Sequence, residues 1–206
     1  PCDIRSVTAV TDLISQGKLL KAENLCRHFM TQVPDHVEGM RLLAELGIRL
    51  GVLDDAEYLL ETAVALEPKN IQARIDYISA LRKRQNYEKA LTQSKELLKG
   101  APKNQQFRSI FAIECMQTGD FDTAIKVFDE ILNDLPADPI THTAKGHALK
   151  TKGLFDDAVL SYKMAIKSNR GHGEAYYALA NLKTYRFGQT EMNLMAELIQ
   201  DPNLSF

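Results

Sequence analysis

Apolar residues recur along this chain at helical spacing. Ala56, Leu59, Leu60, Ala63 and Val64 follow an i, i+3, i+4, i+7 pattern, and Ala124, Val127, Phe128 and Ile131 repeat it. That period places the apolar side chains on one face of a helix, whereas strands would alternate every second residue. A final stretch after Thr190, read as an N-cap, carries two stripes: Met192, Met195, Ala196 and Ile199, then Leu194 and Leu198. A helix apolar around most of its girth is expected to pack on two sides.

A longer period overlies the helical one. Pro34, Pro68, Pro102 and Pro136 stand 34 residues apart, and Ala22, Ala56, Ala90, Ala124 and Ala158 keep the same interval. Gly17, Gly51, Gly119 and Gly153 mark a third phase, with Gln85 in the remaining slot; small residues mark a fourth at Ala44, Ala112, Gly146 and Ala180. Proline closes one helix pair, because it lacks an N–H and disfavours helix in the residue before it. The glycine ends the first helix of each pair in a left-handed conformation. Leu19, Leu53, Tyr87, Phe121 and Phe155 come after it and are expected to plug the turn. Alanine is expected where two helices pass closest. The predicted architecture is all-α: a right-handed superhelix of antiparallel helix pairs, in which each pair buries its apolar face on its neighbours. Repeats are read at 3–36, 37–70, 71–104, 105–138 and 139–172, with a sixth first helix over 173–185 and a divergent helix over 186–206.

This pattern resembles the tetratricopeptide repeat (TPR) family over residues 3–185. The small–Ala–Ala–Pro signature is fullest at Ala44, Ala56, Ala63 and Pro68, and Gly146, Gly153, Phe155, Ala158, Tyr162 and Ala165 also fit. Val10 departs from the pattern at the first small position, and Arg170 stands where proline would. The resemblance implies a concave peptide- or protein-binding groove. The segment from Gly173 to Phe187, with the Gln-Thr-Glu-Met that follows Gly188, is similar to the stretch upstream of the catalytic domain in bacterial TPR-containing sulfotransferases. That likeness implies a recruitment or dimerisation region, cut before an enzyme that would use a phosphoadenylyl sulfate donor. The alternative is a stand-alone scaffold that assembles a multiprotein complex. A strand leading into a Gly/Ser/Thr-rich phosphate loop is absent from these residues, so no catalysis and no cofactor are expected within them.

Carried over from the family, the groove-facing positions are Arg41, Glu45, Ile48 and Arg49, then Ile75, Ser79, Arg82 and Lys83. Ser109, Ile113, Met116 and Gln117 come next, then Thr143, His147 and Lys150, and finally Tyr177, Asn181, Thr184 and Tyr185. The Lys–Asn–Asn–Lys–Arg clamp of chaperone-binding TPR domains is missing, since Val7 and Thr11, Arg41 and Glu45, and Ile75 and Ser79 fill its early slots. Two readings of the remaining basic set stand side by side: ordinary solvated helix surface, or a groove for an extended acidic or tyrosine-bearing peptide.

Composition adds limits. The chain has 206 residues, 45% of them hydrophobic, and a formal net charge of −2. That balance argues against nucleic acid as a partner. No apolar run approaches the roughly 18 residues of a membrane span. Cys2, Cys26 and Cys115 lie at no metal or redox spacing, which fits a reduced, cytoplasmic protein with small buried thiols. Pro1 in place of Met is compatible with residues preceding it, and the apolar last helix suggests a following domain, a partner helix or self-association. Asp54-Asp55, Asp122 and Asp156-Asp157 read as helix-start carboxylates that cap N–H groups and meet the positive dipole end. His142 and His147 are one residue too far apart to share a metal on a helix. Gly171-His172-Gly173 reads as a flexible joint, and Asn203-Leu204-Ser205 as an uninformative glycosylation triplet.

Overall fold

A computed structural model describes residues 2–199, with side chains from residue 5 onward. Helices and short connections make up the described residues, and the expected all-α repeat fold is what they form. The chain divides into two compact units, Pro1–Gly100 and Ala101–Phe206.

Unit 1 holds three helix pairs: α1 (Cys2–Ser15) with α2 (Leu19–Gln32), α3 (Val37–Leu50) with α4 (Leu53–Leu66), and α5 (Ile71–Lys83) with α6 (Tyr87–Gly100). Unit 2 pairs α7 (Gln105–Gln117) with α8 (Phe121–Asp134) and α9 (Pro139–Thr151) with α10 (Phe155–Ser168); α11 (Gly173–Ala180) and α12 (Gln189–Ile199) complete it. In each unit the backbones of neighbouring first helices approach closely (α1 with α3 and α3 with α5; α7 with α9 and α9 with α11), whereas those of second helices stand farther apart, α4 and α6 being joined by Lys89, which pairs with Glu57 and Glu61. First helices therefore line the inner face of each unit, and crevices open between second helices.

The repeat phases do what their chemistry requires. Gly17, Gly51, Gly119 and Gly153 all have positive φ, and Gln85 is the one non-glycine residue to do so among the described residues, at φ 60. Ala22, Ala56, Ala90, Ala124 and Ala158 are completely buried. A further phase, two residues after each proline, starts the first helices: His36, Asn70, Asn104 and Asp138 each accept a hydrogen bond from the backbone N–H three residues ahead, at 3.0–3.1 Å. These are N-caps, and Asn and Asp suit them because a short side-chain acceptor reaches an orphan N–H.

Packing between the two helices of a pair shows a volume rule. Sixteen residues separate Val10 from Cys26, Ala44 from Leu60, Ile78 from Ser94, Ala112 from Phe128 and Gly146 from Tyr162, and every one of these residues is buried. A larger partner accompanies a smaller one throughout, as close packing at near-constant density demands. A Cβ on Gly146 would lie 2.4 Å from the Tyr162 ring, so only glycine admits that tyrosine.

Several expectations need correction. Phe155 does not plug its turn; it is 48% exposed. Ala180 keeps the small-residue phase yet is exposed, because no second helix folds back on α11. The sixth first helix is only eight residues long. Beyond it, Leu182 and Tyr185 donate to carbonyls three residues back, at 3.0 and 2.8 Å, and these tight turns lay Leu182, Tyr185 and Phe187 on the apolar cluster around Tyr162 and Leu179. Tyr185 and Phe187 stack edge to face at 5.2 Å, so this segment covers part of the surface that a second helix would have covered. Thr190 is not the N-cap of the last helix, which begins one residue earlier; Glu191 accepts instead from the Gly188 N–H at 2.8 Å.

The helix-start carboxylates meet the positive dipole end in the first turns of α4, α8 and α10, but they do not cap. Asp54 reaches thirty residues ahead to Arg84 at 2.5 Å, and Asp122 pairs with Lys152 at the same interval. These are one inter-repeat contact made twice. Gly171-His172-Gly173 is a held turn rather than a flexible joint: the Gly171 N–H donates to Asn169 Oδ1, and the His172 ring meets the Thr143 hydroxyl at 2.9 Å. Cys26 and Cys115 are buried thiols. The Cys2 side chain and Asn203-Leu204-Ser205 lie outside what the structure describes.

Candidate functional site

The inner face of unit 1 gathers Arg41, Glu45, Ile48 and Arg49 from α3 with Ser79 from α5 around one cleft of about 350 Å³. All five occupy groove positions of their repeats, and the fold brings them together. Gln72 and Asp76 also line the cleft. Neither was among the expected groove residues: Gln72 stands at the second position of its repeat, and Asp76 lies beside Ile75 and carries no periodic signal.

Charge in this cleft is already paired. Arg41, half-buried, bonds through Nε to Asp76 Oδ2 at 2.7 Å and through Nη1 to Glu38. Asp76 accepts in addition from Gln72 Nε2 at 2.8 Å. Arg49 bonds Glu45 at 2.7 Å, one helical turn back. Three carboxylates thus face two guanidinium groups, and Arg41 is fixed in place by groups on two helices. Lys83 is exposed at the end of α5, and Arg82 is half-buried there.

Unit 2 presents a different inner face. Ile113 is half-buried and Gln117 exposed on α7, while His147 and Lys150 are half-buried on α9. Tyr177 of α11 is 70% exposed, and Asn181 is the exposed C-cap of that helix. Thr143, expected in the groove, is instead buried and donates to the Pro139 carbonyl at 2.8 Å. Tyr185, also expected there, packs against the core and lies under Lys163 Nζ at 5.0 Å.

His147 is the centre of a hydrogen-bonded chain. The hydroxyl of fully buried Tyr162 meets His147 Nδ1 at 3.0 Å, and His147 Nε2 faces Glu174 Oε1 at 3.4 Å. A neutral imidazole that accepts from tyrosine on Nδ1 carries its proton on Nε2, directed at the carboxylate. Burial, with Glu174 adding to it, pushes the Tyr162 hydroxyl up to about 12, so the hydroxyl keeps its proton and remains a donor. The chain links α10, α9 and α11 and sets the ring of His147 on the inner face. Nothing in it resembles a nucleophile beside a base, because the tyrosine is buried and the histidine is consumed at both nitrogens. His142, whose spacing from His147 already argued against a shared metal, bonds the Pro136 carbonyl at 2.9 Å through Nε2.

Residues 25–141, more than half of the chain, match the family described as the cytochrome c-type biogenesis protein H TPR domain. No curated protein sequence matches the chain. Among solved structures, the chain is similar to residues 41 to the end of MamA from Desulfovibrio magneticus RS-1, with a TM-score of 0.71 at 14% identity over 81% of this chain and 94% of that one. Another MamA structure gives 0.66 at 18% identity, over 89% and 98% of the two chains. YrrB, described as a TPR protein with an unusual peptide-binding site, gives 0.68 at 16% identity over 84% and 89%. At such identities the likeness is one of fold.

Proposed function

The chain belongs to the cytochrome c-type biogenesis protein H TPR domain family, and from that membership we propose that it is a non-catalytic module that binds a peptide or protein segment on the inner faces of its first helices. The observation that carries this reading is the cleft of α3 and α5, where polar side chains of two repeats converge around Ile48. YrrB has a peptide-binding site, and the shared fold makes the equivalent use here reasonable.

The narrower expectation of an acidic or tyrosine-bearing ligand has to overcome the pairing of Arg41. An acidic peptide gains Arg41 only by displacing Asp76 or Glu38, whereas a segment of mixed polarity can bond to the cleft as it stands. The expectation of a sulfotransferase-type parent rests on the sequence of residues 173–187 alone. The alternative of a stand-alone scaffold differs from it only in having no catalytic domain attached. No helix among the described residues is long and apolar enough to cross a membrane.

Selection of peptides from a random display library on the immobilised full chain tests the reading. Binders should lose affinity on Ile48→Asp and Ser79→Arg, two exposed or half-buried changes on the inner face. Binders indifferent to both changes would refute an inner-face site. Self-association through the last helix has its own support: no described residue of α12 is buried, and Ile199 is 71% exposed. Light scattering across a concentration series, with Ile199→Lys as the control, decides it.

A further inference from the structure

Leu13, Leu81, Cys115 and Leu149 share one phase of the 34-residue period, and in the second repeat that position is Gly47. Leu81, Cys115 and Leu149 are buried and Leu13 is half-buried, so the phase normally supplies a core side chain. At Gly47 the backbone has closed in part: a Cβ there would stand 3.1 Å from the Val52 carbonyl oxygen. What remains is a surface cleft of about 230 Å³, which Gly47 lines on the side of unit 1 opposite the inner face. It lies in the crevice between α2 and α4, whose backbones do not approach each other closely. Leu43 and Leu59 form its floor, and Tyr58, 71% exposed, stands at its wall. Its volume exceeds the roughly 150 Å³ of an apolar cavity that admits a benzene ring.

The rim is acidic. Glu23 is paired with Arg27 of the same helix at 2.9 Å, while Asp55 has no ion-pair partner among the described residues. One carboxylate without an ion pair, in the first turn of α4, therefore borders an apolar hollow at a position that lacks a core side chain. We propose that this cleft is a second, separate docking site, which takes one aliphatic or aromatic side chain from a partner helix that carries a lysine or arginine one turn away. The apolar side chain replaces the leucine that the repeat lacks, and the basic group pairs with Asp55. A second copy of α12 is a poor occupant, since its charged residues are Glu191 and Glu197 and it has no lysine or arginine.

The test is an NMR titration of the ¹⁵N-labelled full chain with a helical peptide that bears a single leucine and a lysine four residues on. Saturating shifts should centre on Gly47, Val52, Asp55 and Tyr58. A peptide with alanine for that leucine should bind about tenfold more weakly, the loss expected for one buried leucine. Asp55→Asn should weaken the parent peptide about threefold, as for a rim ion pair. Gly47→Leu should block the site; Tyr58→Ala, a surface change, stands in for it if that variant fails to fold. Equal affinity for the leucine and alanine peptides would overturn the proposal, as would shifts centred on Arg41 and Ser79. Arg41→Glu should leave this titration unchanged, so failure here and failure of the inner-face reading are separable.

Discussion

In the third repeat a large first-helix residue, Ile78, accompanies a small second-helix residue, Ser94; in the fifth the order is reversed, with Gly146 and Tyr162. Both arrangements fill the interior, yet they leave different inner faces. Tyr162 brings a hydroxyl through the core to His147, and the fifth repeat holds its inner face by a hydrogen-bonded chain. Ile78 offers no such handle, and the neighbouring inner face is held by Arg41 between Asp76 and Glu38. A shared frame with a movable bulk thus allows each repeat to present different chemistry without changing its backbone.

Size exchange gives the sharpest way to break this comparison. Ile78→Ala should cost about 2–4 kcal/mol, since Ser94 cannot fill the hole. Ser94→Leu alone should cost about 1–3 kcal/mol through overpacking. The double variant should recover at least half of the summed loss in urea denaturation; simple additivity would show that the two positions do not compensate. Gly146→Ala should destabilise unit 2 by about 2 kcal/mol, because the Tyr162 ring has to shift away from the new methyl group and from His147.

A smaller gain is expected at the turn before α6. Gln85 holds φ 60 where the other repeats have glycine. Gln85→Gly should stabilise the chain by about 1 kcal/mol, offset in part by the greater freedom of glycine in the unfolded state. Gly51→Gln should cost about as much. At the inner face, Asp76→Ala releases one arm of Arg41 and should raise affinity for an acidic peptide severalfold, about 1 kcal/mol, by titration calorimetry. No gain would mean that Asp76 does not hold Arg41 back.

The smallest effect is expected at alkaline pH. Burial pushes the Cys26 thiol up to about 11 and the Tyr162 hydroxyl up to about 12. Both folded-state values are raised, so the stability these groups contribute is complete below their unfolded values and is lost as pH rises through the folded ones. The denaturation midpoint should therefore fall from about pH 9 upward, and Cys26→Ala should flatten part of that decline.

The architecture was legible because glycine, alanine and proline each mark a backbone event that only a few residues permit. The groove positions of α3 and α5 were legible for the same reason, since period alone puts them on one face. The features that were not legible depend on pairs. The break after Ala180 arises from the affinity of Leu182, Tyr185 and Phe187 for a cluster built by distant residues. Thr143 left the groove because its hydroxyl is held between the Pro139 carbonyl and the ring of His172, twenty-nine residues on. Arg41 reads as a free cation until Asp76, thirty-five residues on, is placed beside it. The cap phase at His36, Asn70, Asn104 and Asp138 stood in plain view two residues after each proline.

The most direct test is chemical-shift mapping of the ¹⁵N-labelled chain with a library-selected peptide. Shifts concentrated on Arg41, Glu45, Ile48, Gln72 and Ser79, and abolished by Ile48→Asp, are the predicted result. Saturable binding that leaves these residues unmoved would contradict an inner-face peptide site.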